Sequence, residues 1–229
     1  MPTSVDQWTP QWAYAIGLLA TDGCLGGGKT VIFTSKDLQL METFRQCIGA
    51  QAPIARNGGA YRVQIGDIRF FRWLQSIGVG ERKSLTLGAL AVPRNLLVHT
   101  VRGLLDGDGS IYTGITIPNR SSYPLHQYQR LQVRFHSASS KHIEWLRRTI
   151  KHLANLDGWV TTKKKVVDGR EYHPLWLLRY SKHESRVLLT WLYSDETAPR
   201  LERKWLKWVD FRDNGKPTRA YREKPSLRT

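Results

Sequence analysis

A mixed α/β chain of two pseudo-symmetric halves, each running αββαββα with curved antiparallel sheets, is predicted by three observations. One stretch occurs twice, as Ala15-Ile16-Gly17-Leu18-Leu19-Ala20-Thr21-Asp22-Gly23 and as Val101-Arg102-Gly103-Leu104-Leu105-Asp106-Gly107-Asp108-Gly109. Gly17 to Gly103 and Asp22 to Asp108 both span 86 positions, so neither copy carries an insertion. Further along, matching positions drift apart in steps, as in a duplication with loop insertions: Lys36 and Lys141 by 105, Trp73 and Trp191 by 118, Lys83 and Lys204 by 121. Finally, the strands alternate apolar with polar residues, the pattern of a sheet with one face on a core and the other uncovered.

The first half opens at Thr9-Pro10, with Thr9 as N-cap and Pro10 at the first helical position, where a missing N–H costs nothing. Its helix runs to the first Asp-Gly. Ala13, Gly17 and Ala20 place small residues along one face, and His99, Gly103 and Gly107 recur every four residues in the second copy. Two such faces are expected to pack almost in contact, setting Asp22 and Asp108 side by side. Gly26-Gly27-Gly28-Lys29 reads as a hairpin tip, since no Gly-Lys-Ser/Thr follows at phosphate-loop spacing. A strand through Val31, Ile32 and Phe33 leads to an amphipathic helix over Ser35 to Ile48, with Leu40, Met41, Phe44, Cys47 and Ile48 inward. A strand pair turns at Asn57-Gly58, Asp67 to Ser76 forms a helix, and Glu81-Arg82-Lys83 closes the half.

The second half repeats this order with longer connections. Ser110 to Ile117 and Arg130 to His136 are strands joined by a loop containing Pro118, Asn119, Ser121, Ser122 and Pro124. Ser140 to Ala154 is a helix with Ile143, Leu146, Ile150 and Leu153 inward, and Trp159 to Val166 pairs with Tyr172 to Tyr180 across Asp168-Gly169. Ser181 and Glu184 form a capping box for a helix carrying Val187, Leu188, Trp191 and Leu192, and Glu202-Arg203-Lys204 closes the half. The halves span 9–91 and 92–208. The remaining 209–229 is a basic tail with little apolar periodicity, containing Arg212, Lys216, Arg219, Arg222, Lys224 and Arg228.

Lys and Arg outnumber Asp and Glu by 35 to 19 in 229 residues, a net charge of +16 that points to a polyanionic partner. Cys24 and Cys47 form no Cys-x-x-Cys pair and no zinc-spaced cluster, which argues against a disulfide framework or structural zinc. No apolar run approaches the ~20 residues of a membrane span, and Met1 to Asp6 lacks the regions of a signal peptide. The expectation is a soluble intracellular protein with no membrane partner, in a microbial cytoplasm or an organelle matrix.

The strand Arg130-Leu131-Gln132-Val133-Arg134-Phe135-His136 sorts its side chains most cleanly. Arg130, Gln132, Arg134 and His136 share one face and offer the donors and acceptors that match base edges and phosphates. Arg62 and Gln64 repeat the pattern in the first half, and Thr161, Lys163 and Lys165 add a basic strand. With Lys29 at the hairpin tip, these residues are expected to line a curved saddle over double-stranded DNA. Two carboxylates at packed helix ends repel by ~3 kcal/mol at ~5 Å and an effective dielectric near ~20. A proton or cation is therefore required between them, and hard divalent ions suit carboxylate and phosphate oxygens.

The Gly-Leu-Leu-x-x-Asp-Gly cores at Gly17 to Gly23 and Gly103 to Gly109 resemble the signature of the LAGLIDADG homing endonuclease family, in its single-chain form with two motifs. The likeness covers about residues 10 to 208. It implies a monomer with internal pseudo-two-fold symmetry that makes metal-dependent double-strand breaks in a long asymmetric DNA site and leaves short 3′ overhangs. It carries the metal role to Asp22 and Asp108, with Mg²⁺ or another divalent ion such as Mn²⁺, and puts a lysine near each metal, for which Lys83 and Lys204 are the candidates. Such a lysine stabilises charge on the phosphate or organises the attacking water. Ala20-Thr21 departs from the family consensus, while Asp106, facing Ala20 in the repeat, is read as a local cap or pair. His136 either joins the water network or contacts a base. The rival readings are an RNA-splicing maturase binding intron RNA and a DNA-binding regulator without catalysis.

Overall fold

The computed structural model describes residues 8–116, 128–167 and 170–214. Its first half runs α1 (Pro10–Asp22), β1 (Gly23–Gly26), β2 (Thr30–Ser35), α2 (Leu38–Cys47), β3 (Ile54–Asn57), β4 (Ala60–Gly66), α3 (Ile68–Ser76) and the short α4 (Lys83–Thr86). The second runs α5 (Leu97–Asp106), β5 (Ser110–Thr116), β6 (Tyr128–Ser137), α6 (Ser140–Ala154), β7 (Trp159–Val167), β8 (Arg170–Arg179), α7 (Lys182–Leu192) and α8 (Glu202–Asn214). Each half has one antiparallel four-stranded sheet, ordered β1-β2-β4-β3 and β5-β6-β8-β7, so the two share one topology. The loop around Pro118 to Pro124, the turn at Asp168-Gly169 and the tail residues Lys216 to Arg228 lie outside the described residues.

Local chemistry sets the element ends. Thr9 Oγ1 accepts from Trp12 N and caps α1, with Pro10 following it. Asp67 takes the same role for α3 by accepting from the amides of Arg69 and Phe70. Ser181 and Glu184 make the full reciprocal capping box at α7. The hairpin tip needs left-handed residues, and Gly27 and Gly28 supply them at φ 60° and 68°. Equivalent caps register the halves. Ser35 Oγ accepts from Asp37 N, and Ser137 Oγ accepts from Ser139 N, each at 3.1 Å. That offset is 102, so Lys36 matches Ala138, and the pairing of Lys36 with Lys141 is displaced by three. At the far ends of α3 and α7 the hydroxyls of Ser76 and Ser194 donate to the carbonyls of Trp73 and Trp191, in keeping with an offset of 118.

The core joins both halves. It takes the inner faces of the sheets (Val31, Phe33, Val63, Leu131, Val133, Phe135 and Leu178) together with α2, α3, α6 and α7. On α7 the inward residues are Leu188, Leu189 and Leu192, whereas Val187 is exposed. The chain past Val209 does not leave the body at once: α8 continues to Asn214, because Trp208 and Phe211 are buried three residues apart on one face. Arg212 therefore sits on a helix, where it pairs with Asp213.

The halves meet along α1 and α5. A Cβ on Gly17 would fall 2.8 Å from the Cα of Gly103, and one on Gly103 would fall 3.0 Å from the Cα of Gly17. The backbone of Tyr14 meets Gly103 and the Thr21 side chain meets Gly107, so these two residues of α1, next to Ala13 and Ala20 in the chain, also line the seam. Behind the seam, Arg203 of α8 grips Asp37 at the start of α2 through two bonds of 2.9 and 2.8 Å, and Gln39 reaches Arg200 O and Glu202 N.

Candidate nucleic-acid and metal site

Both helix ends turn back on themselves. A Cβ on Gly23 would lie 2.8 Å from Leu19 Cα, and one on Gly109 would lie 2.7 Å from Leu105 Cα, so the residue after each aspartate has room only for hydrogen. This tight exit holds Asp22 and Asp108 at the foot of the seam. The Asp22 carboxylate lies against Gly107, where a Cβ would stand 3.0 Å from Oδ2. Burial and then the negative charge of Asp108 raise its pKa from 3.8 to about 6, with Thr21 and the two lysines acting the other way. A carboxylate at a helix C-terminus already faces the negative end of the macrodipole. The site thus concentrates negative potential.

Lys83 and Lys204 are buried at these same ends. The ammonium of Lys83 donates to Thr21 O at 3.0 Å and Gly23 O at 2.6 Å. That of Lys204 donates to Leu105 O (2.6 Å), Asp106 O (2.8 Å), Gly107 O (3.0 Å) and Gly109 O (2.7 Å). Thr21 matches Gly107 and Gly23 matches Gly109 in the repeat, so the two lysines close equivalent helix ends. An ammonium has three protons and Lys204 has four acceptors, which leaves no hydrogen for a phosphate. Burial lowers the pKa of Lys204 to about 8, with Asp106 opposing, so it remains a cation at neutral pH.

Asp106, fully buried, is the residue whose importance the sequence hid most. Its carboxylate accepts from Tyr14 Oη at 2.9 Å and from Leu201 N at 2.8 Å, capping the start of α8. Burial raises its pKa to about 6 against the pull of Lys204. Helix α5 thus caps α8 through Asp106 while α8 caps α5 through Lys204. No local signal marks this pairing, since the partners lie 92 to 98 positions away.

The outward faces are ordered by register. Arg62 and Gln64 face outward on β4, and Arg62 donates to Gln64 Oε1 at 2.7 Å. On β6, Arg130, Gln132, Arg134 and His136 lie opposite buried Leu131, Val133 and Phe135. Arg134 donates to Gln132 Oε1 at 2.6 Å and stands over the Tyr112 ring at 5.3 Å. Thr161 and Lys163 share that face, Lys165 is placed in β7 by its backbone pairing with Tyr172, and Lys29 is exposed at the β1–β2 hairpin tip of the first half. Pairing also brings in two residues the sequence did not single out, Arg179 opposite Arg134 and Tyr112 opposite Gln132. His136 Nδ1 lies 3.1 Å from Asp108 O; a carbonyl only accepts, so this nitrogen carries a proton, and in the neutral ring Nε2 is the acceptor.

The donor set at the seam suits a hard divalent cation: two carboxylates, with backbone carbonyl oxygens around them. Among the described residues no group of three or more His, Cys, Asp and Glu side chains converges, so phosphate and water oxygens have to complete any coordination. Among these residues, too, no helix is long and apolar enough to cross a membrane.

No protein-family model matches the chain, and no curated protein matches it in sequence. Solved structures do match. The I-LtrWI LAGLIDADG homing endonuclease bound to target DNA aligns with TM-score 0.58 at 14% identity, over 91% of this chain and 89% of that one. A variant of I-DmoI in complex with its target DNA in the presence of Mn aligns with TM-score 0.54 at 13% identity, over 83% and 97%. Full-length DUF199/WhiA from Thermatoga maritima aligns with TM-score 0.50 at 12% identity, over 91% of this chain but only 63% of its own. Likeness at this level of identity is likeness of architecture, and the architecture of this chain is that of the LAGLIDADG homing endonucleases.

Proposed function

We propose that the protein is a site-specific homing endonuclease that hydrolyses both strands of a long, asymmetric DNA duplex and leaves short 3′ overhangs. The observation that carries this reading is the meeting of Asp22 and Asp108 at the foot of the seam, between two sheets whose uncovered faces present Arg, Gln and Lys. The duplex lies along the sheets, with the polar strand residues reading base edges and holding phosphates. Asp22 and Asp108 would hold divalent ions, Mg²⁺ or Mn²⁺, which activate water and stabilise the leaving 3′ oxygen when bound. The Mn-containing complex of the I-DmoI variant supports that choice of ion. Lys83 and Lys204 act as fixed positive charges that hold the helix ends in place and offset charge on the reacting phosphate. His136 Nε2 accepts a proton from the water network or reads a base. In the cell the activity is homing, a break in an allele lacking the mobile element.

A cleavage selection from a randomised duplex library with Mg²⁺ tests activity and site together. The expected product is a duplex cut on both strands, with no cutting in chelator. Both Asp22→Asn and Asp108→Asn should abolish the double-strand break while keeping site affinity within about tenfold, since the carboxylates serve chemistry more than binding. Wild-type cleavage by both variants would sink the proposal, and tight duplex binding with no cutting under any divalent ion would leave a DNA-binding protein in its place.

A further inference from the structure

The repeat lets the two outward faces be compared position by position. Cys24 pairs with Ile32 and Ser110 pairs with Arg134, and Cys24 and Ser110 are 86 apart, so Ile32 occupies the place of Arg134. One step along, Thr34 takes the place of His136. On the adjoining strand, Arg62 and Gln64 take the places of Leu177 and Arg179. Carried across each sheet, the described outward residues of the first, glycines aside, are Cys24, Thr30, Ile32, Thr34, Ala55, Asn57, Ala60, Arg62 and Gln64, with one cation among them. The second presents Arg130, Arg134, Lys163 and Arg179, with Gln132 and His136 between them. No carboxylate lies on either face among these residues. Two polar atoms on the second face, Arg179 Nε and Thr161 Oγ1, are buried without a partner, against one, Arg62 Nε, on the first.

We propose that the halves are unequal partners in DNA binding: the β5–β8 sheet is the anchor that seats first on its half of the duplex, and the β1–β4 sheet contributes little affinity of its own. The proposal rests on the reading that the sheets bind duplex DNA. Affinity for a polyanion scales with the number of phosphates neutralised, each adding ~0.9 to the dependence of log K on log salt. Four cations against one therefore make the second sheet the steeper and tighter surface, while Lys29 at the hairpin tip is the further basic residue of the first. The first sheet, with Cys24, Ile32 and Ala55 outward, then docks as the duplex bends or slides into place over the carboxylates.

A short mixed-sequence duplex, long enough for one sheet only, separates the two surfaces without requiring cleavage. With the full chain and no divalent metal, hydrogen-exchange protection should appear in β5–β8 and leave β1–β4 unchanged. Replacing Arg130, Arg134 and Lys163 together with alanine should lower the salt slope by about 2.7, whereas Lys29→Ala with Arg62→Ala should change short-duplex affinity less than about threefold. Equal protection of both sheets, or protection of β1–β4 alone, overturns the inequality even if the selected site is cut. A chain that shows the inequality but cuts nothing keeps this inference and loses the nuclease. A chain that binds no duplex loses both.

Discussion

Asp22 holds its proton to about pH 6 because ionising it means placing a charge in a largely dehydrated site and, secondarily, beside the negative charge of Asp108. The folded-state value lies above the ordinary 3.8, so the folded chain binds that proton more tightly than the unfolded one, and stability falls as pH rises from about 4 to about 6. Asp22→Asn removes the penalty. In metal-free buffer at pH 7.5 it should raise stability by about 1–2 kcal/mol after allowance for solvent, and the gain should vanish by about pH 4 in denaturant titrations. The same proton competes with a cation, so cleavage should fall below about pH 6, and a rate unchanged down to pH 5 would contradict the assignment. Lys204 supplies a different kind of test. Lys204→Met strips four carbonyls of their donor and should cost about 3–5 kcal/mol, more than Lys83→Met, which frees two. On the strand face, Arg134→Ala should weaken binding by about 1–3 kcal/mol in a sequence-dependent way if the guanidinium reads a base. Equal losses on every duplex would make it a phosphate contact.

At the scale of elements, the α1–α5 seam tolerates no added atom. Gly17→Ala drives a methyl into the backbone of Thr100 and Gly103, where neither side can yield by turning a side chain, and it should cost about 3 kcal/mol or more in chemical denaturation. Gly26→Ala, with open space around its Cβ, should stay within about 0.5 kcal/mol. The sequence made this contact legible through the repeated Gly17 and Gly103, and Gly107 lies in it as well, against Thr21. Tyr14 gave no such signal, because it is bulky, yet its phenol reaches past the crossing to Asp106. Helix α8 was not legible in the sequence, where Glu202-Arg203-Lys204 marked only the close of the half, because Trp208 and Phe211 are scattered among charges and the apolar spacing is thin. The strand faces were the easiest to read, since alternation of period two leaves one assignment of sides.

At the scale of the whole molecule, the duplication was visible in the distances between matching residues, and the closure of both helix ends by lysines at equivalent places follows from it. What the sequence concealed is how unlike the halves have become, because the differences are matters of cross-strand neighbours: Arg179 joins Arg134 only through the pairing of β6 with β8. Salt reports on this surface as a unit. With about five outward cations engaged on phosphates, affinity should drop roughly 10²–10³-fold between about 50 and 200 mM salt in equilibrium binding. A loss under tenfold would mean that most of these side chains do not reach the backbone of the duplex.

The bond from Tyr14 to Asp106 also decides which half can marry which. In a pair of two first halves, the phenol of Tyr14 would find Ala20 where its acceptor should be; in a pair of two second halves, Asp106 would face Thr100 and keep only the donors of its own half, Leu201 N and Tyr193 Oη. The glycine crossing is compatible with any of the three combinations, since both halves supply it. One hydrogen bond across the seam therefore acts as a mating code: it strands the Tyr14 phenol in the pair of first halves, costs Asp106 one donor in the pair of second halves, and is satisfied only in the mixed pair. If the halves were expressed as separate chains, that code would sort them into the unlike pair.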